Sequence, residues 1–134
     1  LTIEEIYVAI GSLATCKSPG NVGLTTEFYK AYAEQLPPHL LAMYGEACEK
    51  GVLPPTLREA TILLLLKPDK PPECPESYRP LSLLNIDIKI LAMVLAMRVG
   101  TLMPVLVLLD QAGFIPTRST AHNLCTFFFC TTSA

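Results

Sequence analysis

The segment EATILLLLKPDKPPECPESYRPLSLL, residues 59–84, decides how the chain folds. Residues 60–66, ATILLLL, have the length, β-branched content and flanks of a buried strand, although leucine-rich runs also form helices. A proline-rich turn follows, and YRPLSLL, residues 78–84, returns as the second strand of an antiparallel hairpin. Lys67 and Arg79 then emerge near one end of that hairpin. Prolines 68, 71, 72 and 75 stiffen the connection and reduce the entropy lost when it is ordered. Arginine brings a planar fork and lysine a mobile point charge, a pairing that suits a polyphosphate at the edge of a cleft. Taken alone, the pair is more simply a strand end and a solvated or carboxylate-paired cation.

Helical signals surround the hairpin. LTIEEIYVAIGSL opens with a capping box, Thr2 and Glu5, and a staple between Leu1 and Ile6. Ile3, Ile6, Ala9, Ile10 and Leu13 then recur at helical spacing, which predicts an inward face. CKSPGNVG is a turn. A second helix is expected over about 25–35 with Phe28, Tyr29 and Tyr32 on one side, broken by Pro37 and Pro38, and a third over 39–50 with Gly51 as its stop. Residues 86–106 give the longest helix, with Ile86, Ile90, Ala92, Val94, Leu95 and Val99 inward and Lys89 and Arg98 toward solvent. DQAGFIPTRST is a loop, and AHNLCTFFFC has helical character. The predicted class is α/β in the α+β sense, mainly helical with one short antiparallel hairpin.

Composition narrows the functions. The chain has 134 residues, 51% hydrophobic and only 16% charged, with mean hydropathy +0.42, whereas ordinary globular chains are about 25% charged. A domain this small has much surface to cover, so part of its apolar surface is expected to meet other protein, as in a fragment. The longest unbroken apolar runs, 60–66 and 90–97, fall far short of the ~20 residues of a spanning helix, and no membrane partner is expected. Glu4 and Glu5 stand where a secretory signal would be basic. Five cysteines without a C-x-x-C pair, and two distant histidines, His39 and His122, give no zinc signature. Reduced thiols and an intracellular location, nucleus or cytoplasm, are expected. A net charge of −2 rests any nucleic-acid role on a few placed cations rather than a general basic field.

Catalytic signals are sparse. Asp69, Asp87 and Asp110 stand in separate local contexts, so no two acids pair as a two-metal site requires. Gln111, Phe114 and Arg118 share a loop, where an aromatic beside a cation and an amide can stack on a base and touch a phosphate; equally, Phe114 fills a core and Arg118 caps a helix.

Together these segments are recognisable. KSPGNVGLTTEFYK, then LREATILLLLKPDKPPECPESYRPLSLLNIDIKILAMVLAMR, then DQAGFIPTRST occur in the order found in reverse transcriptases of non-LTR (LINE-type) retrotransposons, and the resemblance runs to about Phe127. K-P-x-K, Y-R-P, S-L-L-N and K-I-L-A are its most specific parts. It implies a partial right-hand polymerase fold, the fingers and upper edge of the palm. Residues 1–55 would be N-terminal helices, 56–85 the fingers hairpin, 86–109 the long helix, and 110–134 a template-side loop and truncated stub. By resemblance, Lys67 and Arg79 grip the triphosphate of an incoming deoxynucleotide, and Gln111, Gly113, Phe114, Arg118 and Lys17 face template and primer. The implied partners of the full-length parent are an RNA template, a DNA primer, deoxynucleotides and the missing palm and thumb segments, with Mg2+ as its cofactor. The sequence departs from the pattern at Asn21 and Val22, where the family has Pro and Asp, and at Thr117, where it has Gly. The family's metal-binding aspartates, in F-x-D-x-x-x-A-F-D-like and Y-A-D-D-like segments, do not occur in these residues. No catalytic residue and no metal site are therefore assigned, and the isolated chain is expected to be inactive. The competing expectations are a non-catalytic RNA- or protein-binding remnant, or the product of a degenerate reading frame.

Overall fold

A computed structural model describes residues 1–107 and the single positions 111, 119 and 121. Within these residues the elements are α1 (Ile3–Ser12), α2 (Thr26–Ala31), α3 (Leu36–Lys50), α4 (Pro55–Arg58), β1 (Ala60–Leu66), β2 (Tyr78–Leu84) and α5 (Ile86–Leu106). The α+β class is as expected.

Local chemistry sets the boundaries. At α1 the Thr2 N–H donates to Glu5 Oε2 at 2.8 Å and the Glu5 N–H donates to Thr2 Oγ1 at 3.3 Å, the reciprocal capping box. At the end of α3, Gly51 takes φ +65°, a left-handed conformation that costs a glycine little. Two helix expectations fail here. α2 ends at Ala31, well before Gln35, and the prolines open α3 instead of separating it from α2. Pro37 and Pro38 occupy the first turn of α3, where a missing N–H costs nothing because no intrahelical acceptor precedes it. The short α4 and the 3-10 turn Pro75–Ser77 carry no periodic apolar signal and were not anticipated.

By internal packing the chain divides into two units, Leu1–Val94 and Leu95–Ala134. The first has one core. It is built from Ile6, Ala9, Ile10 and Leu13 of α1 and its C-cap, Tyr29 of α2, Leu40 and Tyr44 of α3, Leu57 of α4, and Ile86, Ile90, Leu91 and Val94 of α5. Ile3 is 48% exposed, so the inward stripe of α1 begins one turn later than its spacing suggests. In α5 the buried residues are Ile86, Ile90, Leu91 and Val94; Ala92, Leu95 and Val99, expected inward, are exposed. Apolar residues occur nearly all round this helix, so periodicity could not select a face.

In the second unit the described helical part is the distal half of α5, exposed at Leu95, Met97, Val99, Leu102, Val105 and Leu106, with Pro104 inside the helix. By length and composition alone, the 21-residue α5 is long and apolar enough to cross a bilayer, a feature that counting unbroken runs overlooks. Asp87, Lys89 and Arg98 interrupt it, and its first half belongs to the core just described.

The hairpin differs most from expectation. β1 and β2 pair antiparallel from Ala60 opposite Leu84 to Leu66 opposite Tyr78. All seven residues of β1 are exposed, and neither strand supplies a residue to the core. The apolar run that resembles a buried strand is thus open on both faces.

Candidate functional site

The register of the hairpin fixes where its cations point. Residues directly opposite in an antiparallel pair share a face, and side chains alternate along each strand. Arg79 stands opposite Leu65, and Lys67 lies two residues beyond Leu65, so the two cations project from one face as diagonal neighbours, about 7–8 Å apart at the backbone. The ladder continues past the strand, because the Lys67 N–H donates to the Ser77 carbonyl at 2.8 Å. Thr61, Leu63, Leu81 and Leu83 complete that face, giving it an apolar stem and a cationic end.

The connection holds this end in place. Asp69 has φ +58°, in the left-handed region that Asp tolerates better than most residues. The Ser77 N–H donates to the Cys74 carbonyl at 3.0 Å, closing the 3-10 turn. The Tyr78 hydroxyl reaches back to the Pro72 carbonyl at 3.0 Å. Lys67 Nζ donates to the Glu76 carbonyl at 2.6 Å. Lys67, Lys70, Pro71, Cys74, Glu76 and Ser77 line a shallow depression of about 360 Å³. Arg79 lies outside that depression and is exposed. The arrangement presents ammonium groups in a shallow bowl with a guanidinium beside it, which fits an extended anion better than a compact one.

Lys17 is exposed in the loop between α1 and α2, and that loop meets the hairpin at its other end. A Cβ on Gly20 would stand 2.4 Å from Asn85 Oδ1 and 2.5 Å from the Asn85 nitrogen, so only glycine permits this approach. The buried Asn85 side chain accepts from the Val22 N–H at 3.1 Å and donates to the Thr56 carbonyl at 2.7 Å. It thereby ties the loop, the start of α4 and the exit of β2 together. Asn21 adds a bond to Glu59 Oε2 at 3.2 Å. The hairpin base at Leu84 and the cationic end at Tyr78 are six residues apart in β2, roughly 20 Å at strand spacing. The fold therefore does not bring Lys17's loop to Lys67 and Arg79. Sequence reasoning misses Asn85 as a functional residue; the signal that could find it is its place at the end of the S-L-L-N motif, just ahead of the long helix.

The start of α5 has its own anchor. The Tyr29 hydroxyl donates to the Asp87 carboxylate, and the Tyr44 hydroxyl donates to the Asp87 backbone carbonyl at 2.7 Å. Burial, and then the neighbouring Asp87 charge, push both phenols above the ordinary tyrosine range. At the far side of the loop the Cys16 N–H donates to Glu27 Oε1 at 2.7 Å, and that bond is the main reason the exposed Glu27 carboxyl titrates below its usual range.

Gln111 is exposed, while Gly113, Phe114 and Arg118 lie outside the described residues. Among the described residues no three His, Cys, Asp or Glu side chains gather closely enough to hold a metal ion. Asp87 is engaged by Tyr29, and Asp69 lies in the hairpin turn. Neither carboxylate therefore stands in a cluster of metal-ligating side chains among the described residues.

No family model matches the chain. Individual relatives do. It is 32% identical over 124 residues to the transposon TX1 uncharacterized 149 kDa protein of Xenopus laevis, covering 92% of this chain and 9% of that protein. It is 34% identical over 126 residues to the probable RNA-directed DNA polymerase from transposon BS of Drosophila melanogaster, covering 92% of this chain and 14% of that protein. It is 31% identical over 84 residues to the RNA-directed DNA polymerase from mobile element jockey of Drosophila funebris, covering 63% of this chain and 9% of that protein. The chain thus spans a seventh or less of the length of these curated relatives.

Proposed function

We propose, from the premise that this chain belongs to the family of non-LTR retrotransposon proteins that includes RNA-directed DNA polymerases, that it is the nucleotide-gripping portion of such a polymerase. In this reading residues 56–85 are the fingers hairpin of a right-hand polymerase, 1–55 its supporting helices, and α5, Ile86–Leu106, the helix leading toward the palm. Lys67 and Arg79 hold the triphosphate of the incoming deoxynucleotide. Lys17, Gln111, Gly113, Phe114 and Arg118 serve the RNA template and DNA primer, and Mg2+ is held by parts of the parent outside these residues.

One observation carries the reading: the register sets Lys67 and Arg79 on the same face of the hairpin, one step apart. Phosphoryl groups of a nucleotide repeat at a spacing that a fork and a flexible ammonium can bridge together, and charge-assisted bonds are about twice as strong as neutral ones. The anchors at Asn85 and, just beyond it, Asp87 fix the base from which the hairpin projects. The chain alone is expected to incorporate no nucleotide in primer extension with either Mg2+ or Mn2+.

The test is a titration of the chain with a deoxynucleoside triphosphate, followed by backbone amide NMR. The largest shifts are expected at Lys67, Lys70, Ser77 and Arg79. Shifts confined to the α1–α2 loop, with none at the hairpin, would refute the assignment.

A further inference from the structure

The two outer edges of the hairpin are unequal, and from that inequality we infer that β1 pairs with β1 of a second copy of this chain. The bond from the Lys67 N–H to the Ser77 carbonyl puts residues 67 and 77 at a hydrogen-bonding position of the ladder, although the Ser77 N–H turns to Cys74 instead of returning the bond. In an antiparallel ladder such pairs alternate with non-bonded ones, so Leu65, Leu63 and Thr61 point their backbone groups inward, toward β2. Ile62, Leu64 and Leu66 then point theirs outward, as do Tyr78, Pro80 and Ser82 on β2.

Pro80 explains itself at this point. It stands opposite Leu64, at a position whose N–H would face away from the ladder, so its missing donor costs the hairpin nothing. The same missing donor blocks the middle of β2's outer edge. β1 has no such block. It carries no charge and no proline over seven exposed residues, and among the described residues its members make no hydrogen bond beyond the hairpin. An open, uncharged edge of this kind is a template for another strand.

The outward groups are complementary to their own copy. Setting Leu64 opposite Leu64 of a second copy, antiparallel, places Ile62 opposite Leu66 twice and forms about six new backbone bonds around a two-fold axis. The product is a four-stranded sheet in the order β2–β1–β1–β2, long enough to be stable where a lone two-stranded hairpin is marginal. Both of its outer edges are β2, blocked by Pro80, so assembly stops at two copies.

Sedimentation of the chain across a concentration series, with amide hydrogen exchange read at both ends of it, tests the inference. A dimer is expected, with the amides of Ile62, Leu64 and Leu66 slowing by about tenfold or more as dimer replaces monomer, while those of Leu63 and Leu65 stay protected throughout. Leu64→Pro removes the central outward donor and Leu64→Lys sets like charges directly opposite one another; each is expected to give monomer with an unchanged far-ultraviolet spectrum. A monomer at every concentration overturns the inference. So does assembly beyond two copies, or a dimer that survives both Leu64 substitutions.

Discussion

Gly20→Ala is expected to cost more stability than any other single methyl group added to the glycines of unit 1. The added Cβ would meet Asn85 Oδ1 at 2.4 Å, the Asn85 nitrogen at 2.5 Å and the Leu84 carbonyl carbon at 2.6 Å. Two of these three atoms are backbone, held by the exit of β2, so the clash cannot be relieved by turning one side chain. Forcing the loop away costs about 1–3 kcal/mol in overpacking. The shift also loosens the bonds from the Val22 N–H and to the Thr56 carbonyl, and Asn85 is buried, which adds about 1–3 kcal/mol for polar groups left unmatched. The sum, roughly 2–6 kcal/mol, is a large part of the ~5–15 kcal/mol that holds a typical domain folded. Gly45→Ala is the control: it lies within α3 with open space where the methyl would go, and should stabilise by about 0.5–1 kcal/mol. Urea unfolding of the two variants gives the difference directly. If Gly20→Ala unfolds at the same midpoint as the parent chain, the close approach of loop and hairpin base is not as described.

Tyr44→Phe removes a hydroxyl bonded to the Asp87 carbonyl, and thermal or urea unfolding should show a loss of about 1 kcal/mol. Tyr29 and Tyr44 also set a pH dependence. Their folded pKa values are raised, so the native state holds these protons more tightly than the unfolded chain does. Their contribution is complete below pH ~10, the unfolded tyrosine value, and is lost as pH rises above it; the double phenylalanine variant should flatten that alkaline loss. Thr2→Ala breaks the capping box and should cost about 1 kcal/mol, read as early fraying of α1 in amide exchange. Glu46→Gln opens the i,i+4 pair with Lys50, both ends well exposed, and unfolding should change by no more than about 0.5 kcal/mol.

What the sequence disclosed follows from which signals are local. The capping box at Thr2, the stop at Gly51, the hairpin and the long helix are written in neighbouring residues, and each appears where expected. Where contacts are distant the sequence misleads. ATILLLL has the composition of a buried strand, but burial depends on what packs against it, and within these residues nothing does. Pro37 and Pro38 look like a break because their position in a helix cannot be known before its first turn is placed. The inward face of α5 was blurred by apolar residues on nearly every side, which hid Leu91 among them. For the site, the pairing of Lys67 with Arg79 could be proposed from sequence, but their common face needed the register. Gly20 and Asn85, 65 positions apart, meet only in three dimensions.

A double-mutant cycle tests the central claim most directly. The affinity of the chain for a deoxynucleoside triphosphate would be measured by titration calorimetry for the parent, Lys67→Ala, Arg79→Ala and the double variant. If the two cations share one triphosphate, each substitution weakens binding by about tenfold, and the double variant loses less than the product of the two, a coupling of roughly 0.5 kcal/mol or more. Affinity unchanged by both substitutions, or two losses that add fully, would contradict the assignment of these residues to one phosphate clamp.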